Sequence, residues 1–268
     1  MPSRTRSTIR DVFGDGASPD AETELRLFTR IRLPSGVLKT TQPRRLDDLN
    51  EQVLRVLPGD RPLELMDVAT STGITTVEWS EQLSLAGIDH HIVAGDSHLE
   101  AVWVRLPLLG EVLSDRNGNV LLAEVLGRAV DPSGATMRSA LVLPVLRAAA
   151  RRLPGRSVEL VSSRVRECAA IELVEDDIFV ARPELRGRFH AVRAANILNE
   201  GYFDDAQLRS AIATLRERLR PGGLLIVCRT HEDGSNHGSV FRPEREGWAV
   251  VERIGGGSEI ERLIAMSS

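Results

Sequence analysis

The residues of this 268-residue chain best suited to chemistry lie in the run Asp67-Val68-Ala69-Thr70-Ser71-Thr72-Gly73. A carboxylate closes a short apolar run over 63–68, small residues turn the chain, and a helical pattern begins at Ile74. A strand-loop-helix of this kind brings backbone N–H groups and a helix N-terminus close to a ligand. Ala69 and Ser71 are small enough for that approach, with less backbone freedom than glycine. A second carboxylate, Asp96, ends the next apolar run, 91–94. His98, His231 and His237 fall in loops and are candidate general bases for an oxygen or nitrogen nucleophile. Arg193 and Arg229 fall near the carboxyl ends of two further apolar runs. That edge is where open α/β sheets bind ligands, and a guanidinium fork there suits the carboxylate of a cofactor or an anionic substrate.

Composition removes several alternatives. Of 34 basic residues only Lys39 is a lysine. A phosphate-binding loop of the G-K-[ST] type needs its lysine, and pyridoxal phosphate needs a Schiff-base lysine in a site; the setting of Lys39 suits neither. Cys168 and Cys228 stand far apart with no C-x-x-C, and the six histidines show no metal-ligand spacing, so no metal is expected. The formal net charge of −4 offers no footprint for nucleic acid. No apolar run is long enough to span a membrane, and the first ten residues lack the apolar core of a secretory signal. The expectation is a cytoplasmic protein with no membrane and no nucleic-acid partner.

The elements that must position these residues follow from periodicity. Residues 1–20 are polar and are expected to be loose, and helical spacing predicts helices over 21–31 and 45–57. A β-loop-α-β unit follows at 63–68, 74–86 and 91–94, the start of a parallel doubly wound sheet. Two β-rich runs, 102–113 and 120–130, flank Asn117-Gly118 and predict an inserted antiparallel hairpin. An apolar helix is expected over 137–153, bent at Pro144. Strands return at 158–161, 171–174, 189–196 and 224–228, the second being the core strand. A helix N-capped by Asp204 or Asp205 precedes the last of these. Two late strands are expected at 248–254 and 260–266.

In this order the motifs resemble those of the class I S-adenosylmethionine-dependent methyltransferases. Residues 67–73 are similar to the family's (D/E)-x-G-x-G-x-G, with Ala69 and Ser71 in place of two glycines and Gly73 retained. The resemblance implies that Asp96 accepts both ribose hydroxyls, since one carboxylate can accept two donors. Glu175-Asp176-Asp177-Ile178-Phe179 resembles the segment E-G-D-I/V-F, which implies that Asp177 takes the adenine amino group and Ile178 covers the ring. The run 189–196 resembles the fourth strand and its exit, with Ala194 and Asn196 under the methionine part. Residues 219–227 are similar to L-x-P-G-G-x-L-x-V. Residues 193–199 with Tyr202-Phe203 resemble the C-R-N-V-L-I-Y-F segment of chemotaxis receptor glutamate methyltransferases, interrupted by Glu200-Gly201. Arg193, Asn199, Tyr202 and Arg229 are the candidate substrate residues.

The resemblance covers 63–266, interrupted at 99–155. It implies an α/β fold: a Rossmann-like, doubly wound, seven-stranded methyltransferase sheet with an N-terminal helical lid and an inserted β-hairpin. The domains expected are a lid or cap over 1–60 and a methyltransferase domain over 61–268. The cofactor implied is S-adenosyl-L-methionine, and the reaction is methyl transfer to an oxygen, nitrogen or carboxylate acceptor on a small molecule. The insertion would form a substrate wall or a homodimer contact; the apolar content of its helix favours the contact. Two alternatives stay open. One is a degenerate methyltransferase fold that only binds a partner, suggested by the replaced glycines. The other is a nicotinamide-dependent oxidoreductase, since Asp67, the small-residue loop and Asp96 are also Rossmann-like.

Overall fold

A computed structural model describes residues 7–39, 41–59 and 62–267. Along the chain run α1 (Ile9–Phe13), α2 (Ala21–Phe28), α3 (Asp47–Leu54), β1 (Leu63–Val68), α4 (Ile74–Leu85) and β2 (His90–Asp96). Next come β3 (Glu100–Leu106), β4 (Gly110–Ser114), β5 (Val120–Val125), β6 (Arg128–Val130), α5 (Met137–Arg152) and β7 (Arg156–Glu159). The chain ends with α6 (Ser163–Glu167), β8 (Ile171–Glu175), β9 (Phe189–Ala195), α7 (Asp205–Arg218), β10 (Leu219–Thr230), β11 (Asn236–Pro243), β12 (Trp248–Ile254) and α8 (Glu261–Ala265). These elements form two compact units: Met1–Thr41 with His98–Ser163, here unit 1, and Gln42–Ser97 with Arg164–Ser268, here unit 2.

Unit 2 is the expected doubly wound sheet, in the order β12-β11-β10-β9-β1-β2-β8. The strands from β8 to β10 are parallel, and β11 and β12 add an antiparallel edge. Side chains alternate across the strands, so the two faces carry separate cores. Leu65, Ala191 and Ile226 pack with Leu49 of α3 and Trp79 and Leu83 of α4. Met66, Val192 and Leu225 pack with Leu208, Ile212 and Leu215 of α7. Asp204 caps α7 through a reciprocal pair with Gln207. The edge departs from expectation: its strands are 236–243 and 248–254, and the segment expected as a strand at 260–266 is helical over Glu261–Ala265.

Unit 1 holds a five-stranded antiparallel sheet in the order β6-β5-β4-β3-β7. The inserted hairpin is therefore the middle of a larger sheet. Its Asn117-Gly118 turn is present, with Asp115 Oδ1 accepting N–H groups from Asn117 (2.9 Å) and Asn119 (2.7 Å). Two further turns cut the long β-rich runs, at Leu108 and at Leu126-Gly127, and both leucines take positive φ (61° and 50°). Apolar turns of this kind carry no turn signature. One face of the sheet packs Ala101, Trp103 and Leu121 on Ile9 of α1 and Leu27 and Phe28 of α2. The other packs Val104 and Val112 on Leu143 and Leu146 of α5, which runs through Pro144. The loose segment 1–20 thus contains a capped helix, α1, with Thr8 and Asp11 in a capping box. Of the segment expected as a lid, α1 and α2 belong to unit 1 and α3 to unit 2. Among the described residues no helix is long and apolar enough to cross a membrane.

Candidate functional site

The site is built where β1 ends. Register sets Val68 beside Gly95 of β2 and Ala194 of β9. Strand order runs outward from β1 in both directions, and the carboxyl edge at such a switch point is where open α/β sheets hold ligands. In the loop beyond, Ala69, Ser71 and Gly73 all take left-handed backbone, with φ of 55°, 57° and 76°. That conformation costs roughly 1–2 kcal/mol for a residue with a Cβ, so at Ala69 and Ser71 the surroundings impose it. Thr70 N–H donates to the Gly95 carbonyl (3.1 Å) and Ser71 N–H to Asp96 Oδ2 (2.7 Å). Gly73 has a further constraint, because a Cβ there would lie 2.5 Å from Val165 Cγ2. The retained glycine is thus the one the packing requires. Helix α4 starts from Gly73 without a side-chain cap, and the hydroxyls of Thr70, Ser71 and Thr72 are buried without partners. Orphaned hydroxyls beside an uncapped N-terminus make a polar cradle.

Two buried ion pairs brace this edge. Asp67 and Arg193 stand in register on β1 and β9. Arg193 Nε and Nη2 donate to Asp67 Oδ1 (2.9 Å) and Oδ2 (2.6 Å), Nη2 also to the Thr75 carbonyl (3.0 Å), and Nη1 to Asn50 Oδ1 (2.7 Å). Its guanidinium lies 4.3 Å from the Trp79 ring centroid. Thr76 adds a hydroxyl donor to Asp67 at 2.6 Å. Arg193 is fully buried, so the expectation that it meets a substrate is corrected: it is a brace. Asp67, expected at the cofactor, spends its carboxylate on the same brace. The second pair was not anticipated. Arg218 donates to Asp176 (2.6 and 3.1 Å) and to the carbonyls of Asp177 and Val180, and so fixes the loop after β8. An Asp beside the expected Asp177 and an Arg ending an amphipathic helix gave no sign of pairing.

The remaining candidates separate. Asp96 is buried at the loop, Ile178 is buried, and Asp177 is exposed with Oδ1 accepting the Phe179 N–H (2.9 Å). Ala194 is buried within β9. Asn196, at φ 61°, accepts the Thr230 N–H (2.7 Å) and ties the β9 exit to β10. Asn199 accepts the Gly201 N–H (3.1 Å), and Tyr202 is exposed beside Phe203. Arg229 is half exposed and paired with both oxygens of Glu259 (2.9 and 2.8 Å).

His231 and His237 come together, ring centroids 4.4 Å apart, in a cavity of about 230 Å³ that Leu198, Cys228, Arg229 and Glu259 also line. The His237 ring lies on the glycine turn after β12; a Cβ at Gly255 would lie 2.6 Å from its Cδ2. Burial pushes the Cys228 thiol up to about 12, so it is not a nucleophile. His98 belongs to unit 1, where its carbonyl accepts Lys39 Nζ (2.7 Å). Sequence reading missed Arg45. It lies in unit 2 near Cys228, Arg193 and Asp67, and desolvation by burial lowers its guanidinium from the usual value. Its Nε is buried without a partner, and no carboxylate pairs with it among the described residues. Arginine stays charged in proteins, so this is a cation lacking a counter-anion.

No family model and no curated protein matches the chain. Among solved structures it is similar to the citrinin polyketide synthase CMeT domain, with 16% identity over 83% of this chain and 42% of that one, at a TM-score of 0.40. It is similar to the N-methyltransferase NodS from Bradyrhizobium japonicum WM9, solved with S-adenosyl-L-homocysteine (16% identity, 72% of this chain, 65% of that one, TM-score 0.36). It is also similar to the [4+2]-cyclase SpnF (16% identity, 70% of this chain, 47% of that one, TM-score 0.36). The chain spans less than two thirds of the length of each of these three.

Proposed function

We propose that the chain is an S-adenosylmethionine-dependent methyltransferase acting on a small molecule. The observation that carries this reading is the loop after β1: three alternate left-handed residues, three buried hydroxyls without partners, and the buried carboxylate of Asp96 beside them. The residues fit such a cofactor. The uncapped start of α4 and the hydroxyls of Thr70 and Thr72 suit a carboxylate and an ammonium, and Asp96 suits ribose hydroxyls. Ile178 would cover the adenine and Asp177 would meet its amino group. Arg45 supplies the cation for the amino-acid carboxylate, the role expected of Arg193 or Arg229.

When bound, the cofactor supplies an activated methyl group, so the protein's part is positioning and exclusion of water. The buried pairs Asp67–Arg193 and Asp176–Arg218 hold the loops at the carboxyl edge in fixed places. Leu198, Asn199 and the β10–β11 turn would border the acceptor. His231 and His237 are the groups that would take a proton from a hydroxyl acceptor, and a carboxylate acceptor would need neither.

Calorimetric titration with S-adenosylhomocysteine tests the reading. Binding in the micromolar range is the expected result. A specific observation favours a second reading, a scaffold that holds no cofactor: the Ser71 N–H, a donor for a ligand in such loops, is already spent on Asp96. No heat of binding would favour the scaffold and overturn the enzyme.

A further inference from the structure

Unit 1 carries a polar cluster that this function does not use. Trp103 of β3 is buried, and Arg156 of β7 stands in register with it. Arg105 lies two residues beyond Trp103, on the same face of the sheet. Both guanidinium groups sit over the indole, 4.7 and 4.9 Å from its centroid. Both reach one carboxylate: Arg105 Nη2 is 2.9 Å from Asp15 Oδ2, and Arg156 Nη1 is 3.0 Å from Asp15 Oδ1. Arg156 also donates to the Phe13 carbonyl. The two arginines line a cavity of about 220 Å³ with Trp103, Pro154 and Gly155. Trp103 Nε1 is buried without a hydrogen-bond partner, although a buried indole N–H normally has one. Asp15 itself is 74% exposed and sits between Gly14 and Gly16 in the link from α1 to α2.

We propose that Arg105, Arg156 and Trp103 form a binding subsite for a compact oxyanion, the phosphate or carboxylate group of a small ligand, and that Asp15 is a resident stand-in which that anion displaces. Two planar forks converging on one acceptor group are the arrangement that recognises such anions. The indole face desolvates one side of each guanidinium and strengthens its demand for an anion on the other. Hydrogen bonding from Arg105, then the charges of Arg105 and Arg156, hold the Asp15 carboxyl below the usual carboxylate range, so the stand-in is ionised at neutral pH. Exposed pairs contribute little to stability, and glycines on both sides let this carboxylate leave without disturbing α1 or α2. The cavity beside the arginines leaves room for the rest of a ligand.

The test is calorimetric titration of the full chain with inorganic phosphate and, separately, with succinate, at fixed ionic strength. Asp15→Asn removes the competing charge and is expected to tighten binding of at least one anion about tenfold, equivalent to about 1.4 kcal/mol. Arg105→Met in the Asp15→Asn background is expected to reverse that gain, and Arg156→Met provides the same measurement should the first variant melt early. Binding of phosphate alone assigns the subsite to phosphate esters, and binding of succinate alone assigns it to carboxylates. Absence of both anions from Asp15→Asn, or binding that Arg105→Met and Arg156→Met leave unchanged, overturns the proposal and leaves an ordinary surface ion pair.

Discussion

The two units differ in net charge and in how deeply their ion pairs are buried. Unit 1 has 15 basic and 11 acidic residues, a net of +4; unit 2 has 19 and 27, a net of −8. Among the described residues, unit 1 holds Arg105–Asp15, Arg156–Asp15 and Arg116–Glu100 at the surface. Unit 2 buries two pairs almost completely, Arg193–Asp67 and Arg218–Asp176, beside the loops after β1 and β8. A surface pair contributes little to stability, whereas a buried pair is costly to break and holds its elements in one geometry. The difference teaches where arginine is internal: in unit 2 two guanidinium groups brace the interior inside a rim of exposed pairs such as Arg229–Glu259, and in unit 1 the deepest described pair is the partly exposed Arg30–Glu124.

The largest expected effect breaks that bracing. Arg193→Met would leave the Asp67 carboxylate buried and unpaired, a loss of about 3–5 kcal/mol. Chemical denaturation should show it, and Asp67→Asn on top should recover part of the loss. Arg229→Met, at an exposed pair with Glu259, should cost less than about 1 kcal/mol. Equal losses in the two single variants would refute the contrast between brace and rim.

Arg45→Met comes next, and it separates ligand binding from bracing. The residue has no anion to lose, so the melting temperature should hold or rise. Affinity for S-adenosylhomocysteine should fall about tenfold or more, equivalent to at least about 1.4 kcal/mol. Affinity for methylthioadenosine, which lacks the amino-acid carboxylate, should not change. A common loss for both ligands would remove Arg45 from the carboxylate role.

Smaller effects follow at the loop and on α5. Ala69→Gly and Ser71→Gly relieve left-handed strain but add freedom to the unfolded chain, so each should stabilise by no more than about 1 kcal/mol. A clear destabilisation would mean that these side chains pack on something the glycines lose. In unit 1, α5 turns Met137, Leu141 and Val145 outward in one stripe. If that stripe is a homodimer contact, light scattering should give twice the chain mass, and Leu141→Glu should return it to one.

The parallel sheet was legible because its signals are local: apolar runs, small-residue loops and the Pro-Gly-Gly near the start of β10 recur in the right order. The site was legible only in part. Asp96 stood out by its position at a strand end, and Gly73 and Ile178 by the motifs they resemble; the structure sets all three at the carboxyl edge of the sheet. Arg193 looked equally well placed, but register with Asp67 turned it inward, and pairing across strands does not show in a linear sequence. Asp176, Arg218 and Arg45 were missed for the same reason. The extra strands of unit 1 were hidden by turns made of leucine, and β11 by a polar start, Asn236-His237-Gly238, that resembles a loop.

Glu78 gives the finest test of the bracing idea, because it is a buried carboxylate in unit 2 whose one hydrogen bond among the described residues comes from a backbone N–H. Its Oε1 accepts the Arg44 N–H at 2.8 Å, while Oε2 is buried without a partner. Desolvation raises its pKa above the usual carboxylate value, with the Arg44 hydrogen bond opposing. A raised acid binds more protons folded than unfolded, so stability falls as pH rises from the unfolded value through the folded one. Glu78→Gln keeps an acceptor for Arg44 and removes the charge. It should therefore raise the melting temperature at pH 7 and give no gain at pH 4, where the wild-type carboxyl is protonated. At Asp67, which Arg193 braces, the neutral replacement should instead destabilise. If both substitutions shift stability in the same direction, burial with a partner and burial without one are not distinguished in this unit, and the bracing argument fails.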